Sequence, residues 1–172
     1  MHKHLKLAVL SAVFAISAAL APVSAPAADF IIEPLDYDIP GEVEIAAEEG
    51  KNLVVMFSQN GCPYCDKMHK RVFPHPKVAA QFDDAFVMFE INIKGDLEMV
   101  SHNGEDTTEK KYASSMRARA TPLFVFYDKE GKDVLRLTGY QEPGIFMTAG
   151  RYIASEAYKD GTSFLSFVRS GK

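Results

Sequence analysis

Cysteine is scarce in this chain of 172 residues, which has only Cys62 and Cys65. A structural zinc site usually takes four protein ligands, and there is no second cysteine pair to complete one. Distant histidines such as His69, His75 and His102 would have to converge on the two sulfurs to form such a site. We therefore expect no metal centre, and we expect His69, four residues after Cys65, to be a partly exposed helix residue.

Positive charge is not in surplus either, because 19 Lys and Arg residues face 23 Asp and Glu residues and the formal net charge is −4. Proteins that bind nucleic acid through its phosphates carry an excess of basic residues. The composition offers no such excess, so we expect no nucleic-acid partner.

The amino terminus lacks a hydrophobic run long enough to span a membrane. Its apolar run, residues 7–20, has 14 residues, whereas a transmembrane helix needs about 20. Lys3 and Lys6 precede this run, and small residues with proline follow it. This layout is typical of a secretory signal over residues 1–28. An uncleaved membrane anchor is the alternative interpretation.

Export would remove the signal and leave one domain in an oxidising compartment. Small residues favour cleavage after Ala25, Ala27 or Ala28, and we expect a periplasmic protein. Residues 29–172 suit a single compact domain, with 17 basic and 23 acidic residues and a net charge of −6. A cysteine pair there is either held oxidised or kept reduced by a dedicated electron supply.

The two cysteines lie where a predicted strand meets a predicted helix. The strand, residues 53–58, is apolar and rich in β-branched residues, and polar turn residues separate it from Cys62. A thiol at the first turn of a helix faces unpaired N–H groups, which favour the thiolate. Pro63 is tolerated at that position, and the two-residue spacing lets Cys65 reach Cys62. The pattern indicates a redox-active dithiol with Cys62 as the nucleophile.

A structural disulfide is the alternative interpretation of this pair. The ring closed between Cys62 and Cys65 would contain only four residues. Closing so short a loop removes little conformational entropy from the unfolded chain, so the bond would add little stability. We therefore favour the redox interpretation.

The remaining pattern alternates helices and strands. Pro34 and Pro40 indicate an extended segment before the first helix. Residues 94–106 are polar and rich in turn signals, so we expect a long loop or a partly helical insertion there. This order predicts an α/β domain with a mixed sheet. The predicted helices cover residues 41–50, 62–72, 76–82, 107–117, 143–158 and 163–168, and the predicted strands cover 53–58, 86–93, 123–127 and 134–137.

Glu90 is the one charged residue in the predicted strand over residues 86–93. The strand is otherwise almost wholly apolar, which is typical of a sheet that is covered on both faces. A carboxylate there either points outward at the end of the sheet, pairs with a lysine, or has a function. The pattern alone leaves these alternatives open.

These elements together resemble the thioredoxin fold, with a mixed central sheet and helices on both of its faces. The resemblance covers residues 41–158 and rests on the strand that ends at Ser58, Cys62-Pro63-Tyr64-Cys65, residues 91–93, Thr121-Pro122 and Gly139. The Gly-Cys-Pro-Tyr-Cys sequence, the insertion and the helix before Thr121 are more narrowly similar to exported thioredoxins of sulfur-oxidation (SoxW) systems.

The resemblance implies substrate-binding roles for four residues beside the cysteines. Pro122 matches the cis-proline of the family, and Thr121 would offer its backbone to an extended substrate chain. Pro63 and Tyr64 form the dipeptide between the cysteines, which is typical of glutaredoxins. The site is therefore also compatible with glutathione chemistry.

One position departs from the family pattern. Many thioredoxins have a buried aspartate six residues before the first cysteine, where it accepts the proton of the second cysteine, and this chain has Met56 there. Glu90 matches the position at which those proteins carry a lysine that faces the aspartate. Our hypothesis is that Glu90 takes the proton of Cys65, directly or through water.

By resemblance, the protein is an exported thiol–disulfide oxidoreductase that reduces protein disulfides through Cys62 and Cys65. It would work in sulfur oxidation or cytochrome maturation, need no cofactor, and receive electrons from a membrane donor or a quinone-linked partner. The alternatives are a disulfide oxidase or isomerase, a glutaredoxin-like enzyme, and a non-catalytic binding module with a structural disulfide.

Overall fold

The computed structural model describes residues 28–171. Apart from Ala28, the secretory signal expected over residues 1–28 lies outside the described residues. Within the described range, no helix has the length and apolar character needed to cross a bilayer.

Four strands form the central sheet, in the order β2-β1-β5-β6. Their bounds are Asn52–Ser58 (β1), Phe86–Asn92 (β2), Leu123–Tyr127 (β5) and Asp133–Thr138 (β6). β1 pairs in parallel with β2 and antiparallel with β5, and β6 pairs antiparallel with β5. The predicted mixed sheet is therefore confirmed. β1 has a hydrogen-bonded neighbour on each side and is covered on both faces, which explains its almost continuous apolar sequence.

Within residues 28–171, six α-helices and one π-helical turn surround the sheet. Proline lies in the first turn of α1, α2, α3 and α5, where its missing N–H removes no helical bond. α1 begins two residues before the predicted start because Asp38 caps it by accepting from the Gly41 N–H at 3.3 Å. The helices are α1 Ile39–Glu48, α2 Pro63–Lys67, α3 Pro76–Ala85, α4 Glu109–Ser115, α5 Pro143–Ala154 and α6 Phe164–Arg169, and the π-helical turn is Met68–Val72.

The two faces of the sheet bury separate apolar clusters. Successive residues of a strand point to opposite faces, so Met56 belongs to one cluster and Val55 to the other. The first cluster contains both cysteines together with Phe82 and Phe146, and we call it the cysteine face. The second contains Tyr112 and Tyr127, and we call it the tyrosine face.

The insertion differs from its prediction as a long loop or partly helical segment. A strand within it, β3 (Glu98–Val100), forms a small antiparallel pair with β4 (Asp106–Thr108), which begins at the last residue of the insertion. Strands of three residues are too short to show an alternating pattern. The polar sequence of β4 instead led to the prediction of a helix cap. The extended segment before α1 is confirmed, and it pairs with the free edge of β2 through Ile32 N–H to Met88 C=O at 2.8 Å.

Two helices end earlier than predicted. α4 stops at Ser115 instead of continuing to residue 117, because Arg117 adopts φ = 57°. α5 stops at Ala154 instead of residue 158, and Glu156 adopts φ = 55°. A residue in the left-handed region terminates an α-helix. Glycine usually occupies such a position and makes the helix end predictable, but neither of these two residues is glycine.

Candidate active site

The cysteine pair lies at the carboxyl end of β1, as predicted. The chain leaves β1 at Ser58 and turns at Gly61, whose φ of 73° is readily adopted by glycine. Cys62 is then the N-cap of α2, and Cys65 lies in the helix. The two residues form a disulfide with their Cα atoms 5.3 Å apart, so the structure describes the oxidised form of the site.

Cys62 and Cys65 differ in their hydrogen bonds more than in their exposure. Only 4% of Cys62 and 5% of Cys65 is exposed. The Cys62 Sγ accepts from the backbone N–H of Cys65 at 3.1 Å and from the hydroxyl of Thr121 at 3.2 Å. Hydrogen bonds to the charged form of a group favour that form. These two donors would therefore stabilise a thiolate at Cys62 once the disulfide is reduced.

The residues named by resemblance surround the disulfide on two sides. The Thr121–Pro122 peptide bond is cis, and the Pro122 carbonyl accepts from the Gly139 N–H at 2.7 Å. Pro63 and Tyr64 lie on the exposed side, where 58% of Tyr64 is accessible. The structure thus brings together the cysteines and all four residues that were expected to bind substrate.

Glu90 lies on the cysteine face and pairs with His69. It is the register partner of Met56 in the parallel β1–β2 pair, so the two side chains point to the same face. Its carboxylate forms an ion pair with the Nε2 of His69, and 26% of the Glu90 side chain is exposed. The alternative of a lysine partner is wrong, because a histidine of the cysteine-bearing helical segment takes that place.

His69 joins the candidate site through this ion pair. Its pKa is raised above the model-compound value of 6.5, chiefly by the hydrogen bond to Glu90, although burial opposes the shift. Its ring also packs edge-on against Phe73, with the ring centroids 4.9 Å apart. With 42% of its side chain exposed, it is the partly exposed helix residue that we expected. The four-residue spacing between Cys65 and His69 is the sequence feature that predicts His69 on the same helix face as Cys65.

The π-helical turn after α2 was not predicted. In it, the Phe73 N–H bonds to the Met68 carbonyl, five residues back. The Met68 sulfur lies behind the cysteines and accepts from the Gln141 N–H at 3.4 Å. This contact joins the loop after β6 to the cysteine-bearing segment. No apolar periodicity in the sequence predicts the contact or the π-helical turn.

No three His, Cys, Asp or Glu side chains converge within residues 28–171 as a group that could hold a metal ion.

The mixed sheet and the Cys-x-x-Cys disulfide at the strand–helix junction define a protein of the thioredoxin-like class. The family model described as a thioredoxin-like domain matches residues 39–154, which is more than half of the chain. The chain therefore belongs to the thioredoxin-like domain family.

Solved structures agree with this fold. A thioredoxin-fold protein from Helicobacter pylori is 22% identical with a TM-score of 0.58, covering 82% of this chain and 83% of its own. A thioredoxin from Thermus thermophilus is 26% identical with a TM-score of 0.56, covering 73% and 90%. A putative disulphide-isomerase from Bacteroides thetaiotaomicron is 22% identical with a TM-score of 0.54, covering 70% and 91%. No curated protein gives a significant sequence match.

Proposed function

We propose that this protein is a thiol–disulfide oxidoreductase that reduces disulfides of protein substrates. The observation that carries the proposal is the Cys62 sulfur, which is bonded to Cys65 and accepts hydrogen bonds from the Cys65 N–H and the Thr121 hydroxyl. When the disulfide is reduced, these donors stabilise the Cys62 thiolate. When Cys62 is bonded to a substrate, Cys65 is close enough to attack the Cys62 sulfur and release that substrate.

The reduced protein would act through two exchange steps. The Cys62 thiolate attacks one sulfur of a substrate disulfide, forming a mixed disulfide and releasing the other substrate sulfur as a thiolate that takes a proton from water. Cys65 then loses its proton and attacks the Cys62 sulfur. This step restores the Cys62–Cys65 bond and releases the second substrate thiol. The substrate gains two electrons and the protein loses two.

Glu90 is the proposed acceptor of the Cys65 proton, directly or through water. The register of β2 points its side chain to the same face as both cysteines, and the ion pair to His69 holds its carboxylate beside the cysteine-bearing segment. In this proposal the Glu90 carboxylate serves as the general base for the Cys65 thiol. Glu90→Gln should slow the resolution of mixed disulfides between pH 6 and 8, measured by rapid quenching, and an unchanged rate would show that Glu90 plays no such part.

The cellular setting belongs to the same proposal. The secretory signal expected over residues 1–28 supports export to the periplasm, and the Gly-Cys-Pro-Tyr-Cys sequence supports a SoxW-type role in sulfur oxidation or a role in cytochrome maturation. In an oxidising compartment, a reductant needs an electron supply, so a membrane donor or quinone-linked partner would regenerate the dithiol.

Two measurements test the function and its direction. A Cys65→Ser variant should accumulate mixed disulfides through Cys62, whereas a Cys62→Ser variant should not, and the absence of trapped substrate in both would support a binding module with a structural disulfide. The reduction potential, obtained by equilibration with glutathione, should lie near or below about −270 mV for a reductant. A value near about −120 mV would make the protein a disulfide donor.

A further inference from the structure

Positive charge is concentrated in the two chain segments that frame the disulfide. Residues 60–77 and 109–122 together carry eight Lys and Arg residues and two carboxylates, although the whole chain is negative. One of those carboxylates, Glu109, is buried and accepts from the Asn92 N–H at 2.7 Å. The other, Asp66, pairs with Lys70 at 3.6 Å. Within these two segments, cations therefore outnumber carboxylates by eight to two.

A groove beside the cysteines is lined on one side by these cations. Pro63, Asp66, Lys67, Lys70 and Arg71 enclose a shallow space of about 320 Å³ immediately after Cys62 in the chain. Lys70 and Arg71 are exposed, and within residues 28–171 Arg71 has no ion-pair partner. An anionic group that entered this groove would meet at least one unpaired guanidinium.

A cation–π contact joins Lys67 of the groove to the loop that contacts the cis-proline. The Lys67 Nζ lies 3.7 Å from the centroid of the Tyr140 ring, which fixes the lysine beside the loop after β6. The residue before Tyr140, Gly139, donates to the Pro122 carbonyl. Lys67 is therefore connected, through Tyr140 and Gly139, to the segment that contacts the disulfide.

A second group of cations precedes the cis-proline in the chain. Arg119 is two residues before Thr121, whose hydroxyl contacts the Cys62 sulfur, and Arg117 is two residues earlier. Both arginines are exposed, and neither forms an ion pair with a carboxylate in the described part of the chain. The segment that leads to Thr121 therefore adds two exposed arginines to those of the cysteine-bearing segment.

We propose that the protein substrate presents its cysteine within an acidic segment, with carboxylates flanking that cysteine on both sides. This inference rests on the proposed function and specifies its substrate class. The flanking carboxylates would meet Lys67, Lys70 and Arg71 of the cysteine-bearing segment and Arg117 and Arg119 of the segment that leads to Thr121. Opposite charges around the reacting sulfurs speed encounter and select against partners with basic flanks.

The test compares three synthetic peptides that carry the same fluorogenic disulfide. One has glutamates flanking its cysteine, the second has glutamines, and the third has lysines. For the reduced wild-type protein at low salt, we expect kcat/KM to be about tenfold higher for the glutamate peptide than for the glutamine peptide, and lowest for the lysine peptide. The advantage should shrink as salt rises, because the Debye length is only about 10 Å at 0.1 M.

Charge-reversal variants locate the effect. Arg71→Glu and Arg119→Glu should each lower the ratio of kcat/KM between the glutamate and lysine peptides. Lys129→Glu is the matched control, since Lys129 is exposed in the turn that follows the opposite end of β5, and it should leave the ratio unchanged. Because each ratio compares two peptides with the same protein, a general change in cysteine reactivity cancels.

The outcomes separate the two proposals. Turnover of the glutamine peptide with equal rates for all three peptides would overturn the acidic-substrate inference and leave the oxidoreductase standing. Equal loss of the ratio in Lys129→Glu and Arg71→Glu would also overturn it, because net charge alone would then explain the preference. If the protein reduced none of the three peptides and also failed to reduce the disulfides of insulin, the proposed function itself would be overturned.

Discussion

The two faces of the sheet place their polar groups differently. On the cysteine face, Glu90 and His69 form an ion pair near the surface, with 26% and 42% of their side chains exposed. On the tyrosine face, the hydroxyls of Tyr112 and Tyr127 lie 2.7 Å apart in the interior, and the Tyr112 hydroxyl also bonds to the Nδ1 of His102 at 3.1 Å. One pair can exchange protons with solvent, and the other is shielded from it.

This difference separates a candidate for chemistry from a structural contact. Burial raises the pKa of Tyr112 to about 12 and also raises the pKa of Tyr127, so both phenols stay neutral at physiological pH. His69, in contrast, titrates above its usual value of 6.5 because Glu90 holds its proton. The tyrosine pair attaches the insertion, through His102, to the sheet, whereas the Glu90–His69 pair joins β2 to the cysteine-bearing segment near the surface.

The largest expected effect comes from the aromatic packing of the cysteine face. Phe146 is fully buried and contacts Phe82, Phe124 and Phe73, with centroid distances of 4.4, 5.2 and 5.7 Å. Phe146→Ala should lower the free energy of unfolding by about 3–5 kcal/mol, measured by denaturant titration, because it leaves a cavity in a close-packed cluster. The neighbouring Ile145→Ala, at a residue that is 38% exposed, should cost about 1 kcal/mol or less. Equal losses would show that this cluster is not the main core.

That core was largely predictable, and the site only in part. The predicted bounds of the buried strands are close to the observed ones, and those of β5, Leu123–Tyr127, are identical. Buried strands are predictable in this way because they form continuous apolar runs in the sequence. The Cys62–Cys65 junction followed from local chain order. The π-helical turn and the β3–β4 pair were missed, because they depend on contacts between distant segments, such as Met68 with Gln141. The His69–Glu90 pair joins a helix to a strand, so no local pattern contains it.

An intermediate effect is expected from the tyrosine pair. Within residues 28–171 the buried Tyr127 hydroxyl bonds to the Tyr112 hydroxyl alone, so Tyr112→Phe leaves it without a partner and should lower the free energy of unfolding by about 1–3 kcal/mol. Tyr127→Phe should cost less, because the Tyr112 hydroxyl keeps His102 as a partner. The double variant should cost less than the sum of the two, since it leaves no orphaned phenol. Activity should stay at the wild-type level in all three variants, and additive losses would mean that the two hydroxyls act independently.

The smallest expected effect on stability, and the one most informative about the comparison, comes from His69. The folded-state pKa of His69 is raised, so its ion pair with Glu90 stabilises the fold fully below pH 6.5 and loses that contribution as pH rises through the raised pKa. Relative to His69→Gln, the wild-type protein should gain about 1 kcal/mol or less near pH 5.5, and the gain should fade by pH 9. Denaturant titrations at several pH values measure this difference.

Glu90→Gln supplies the control for that titration, because it removes the main cause of the raised pKa and leaves the imidazole in place. In the Glu90→Gln background, His69→Gln should change stability by a similar amount at every pH. A wild-type advantage that grew with rising pH would instead mean that the folded site favours neutral His69, contrary to its raised pKa. If the advantage fades as expected while Glu90→Gln also slows resolution of the mixed disulfide, a single pair links the pH dependence of folding to that of catalysis.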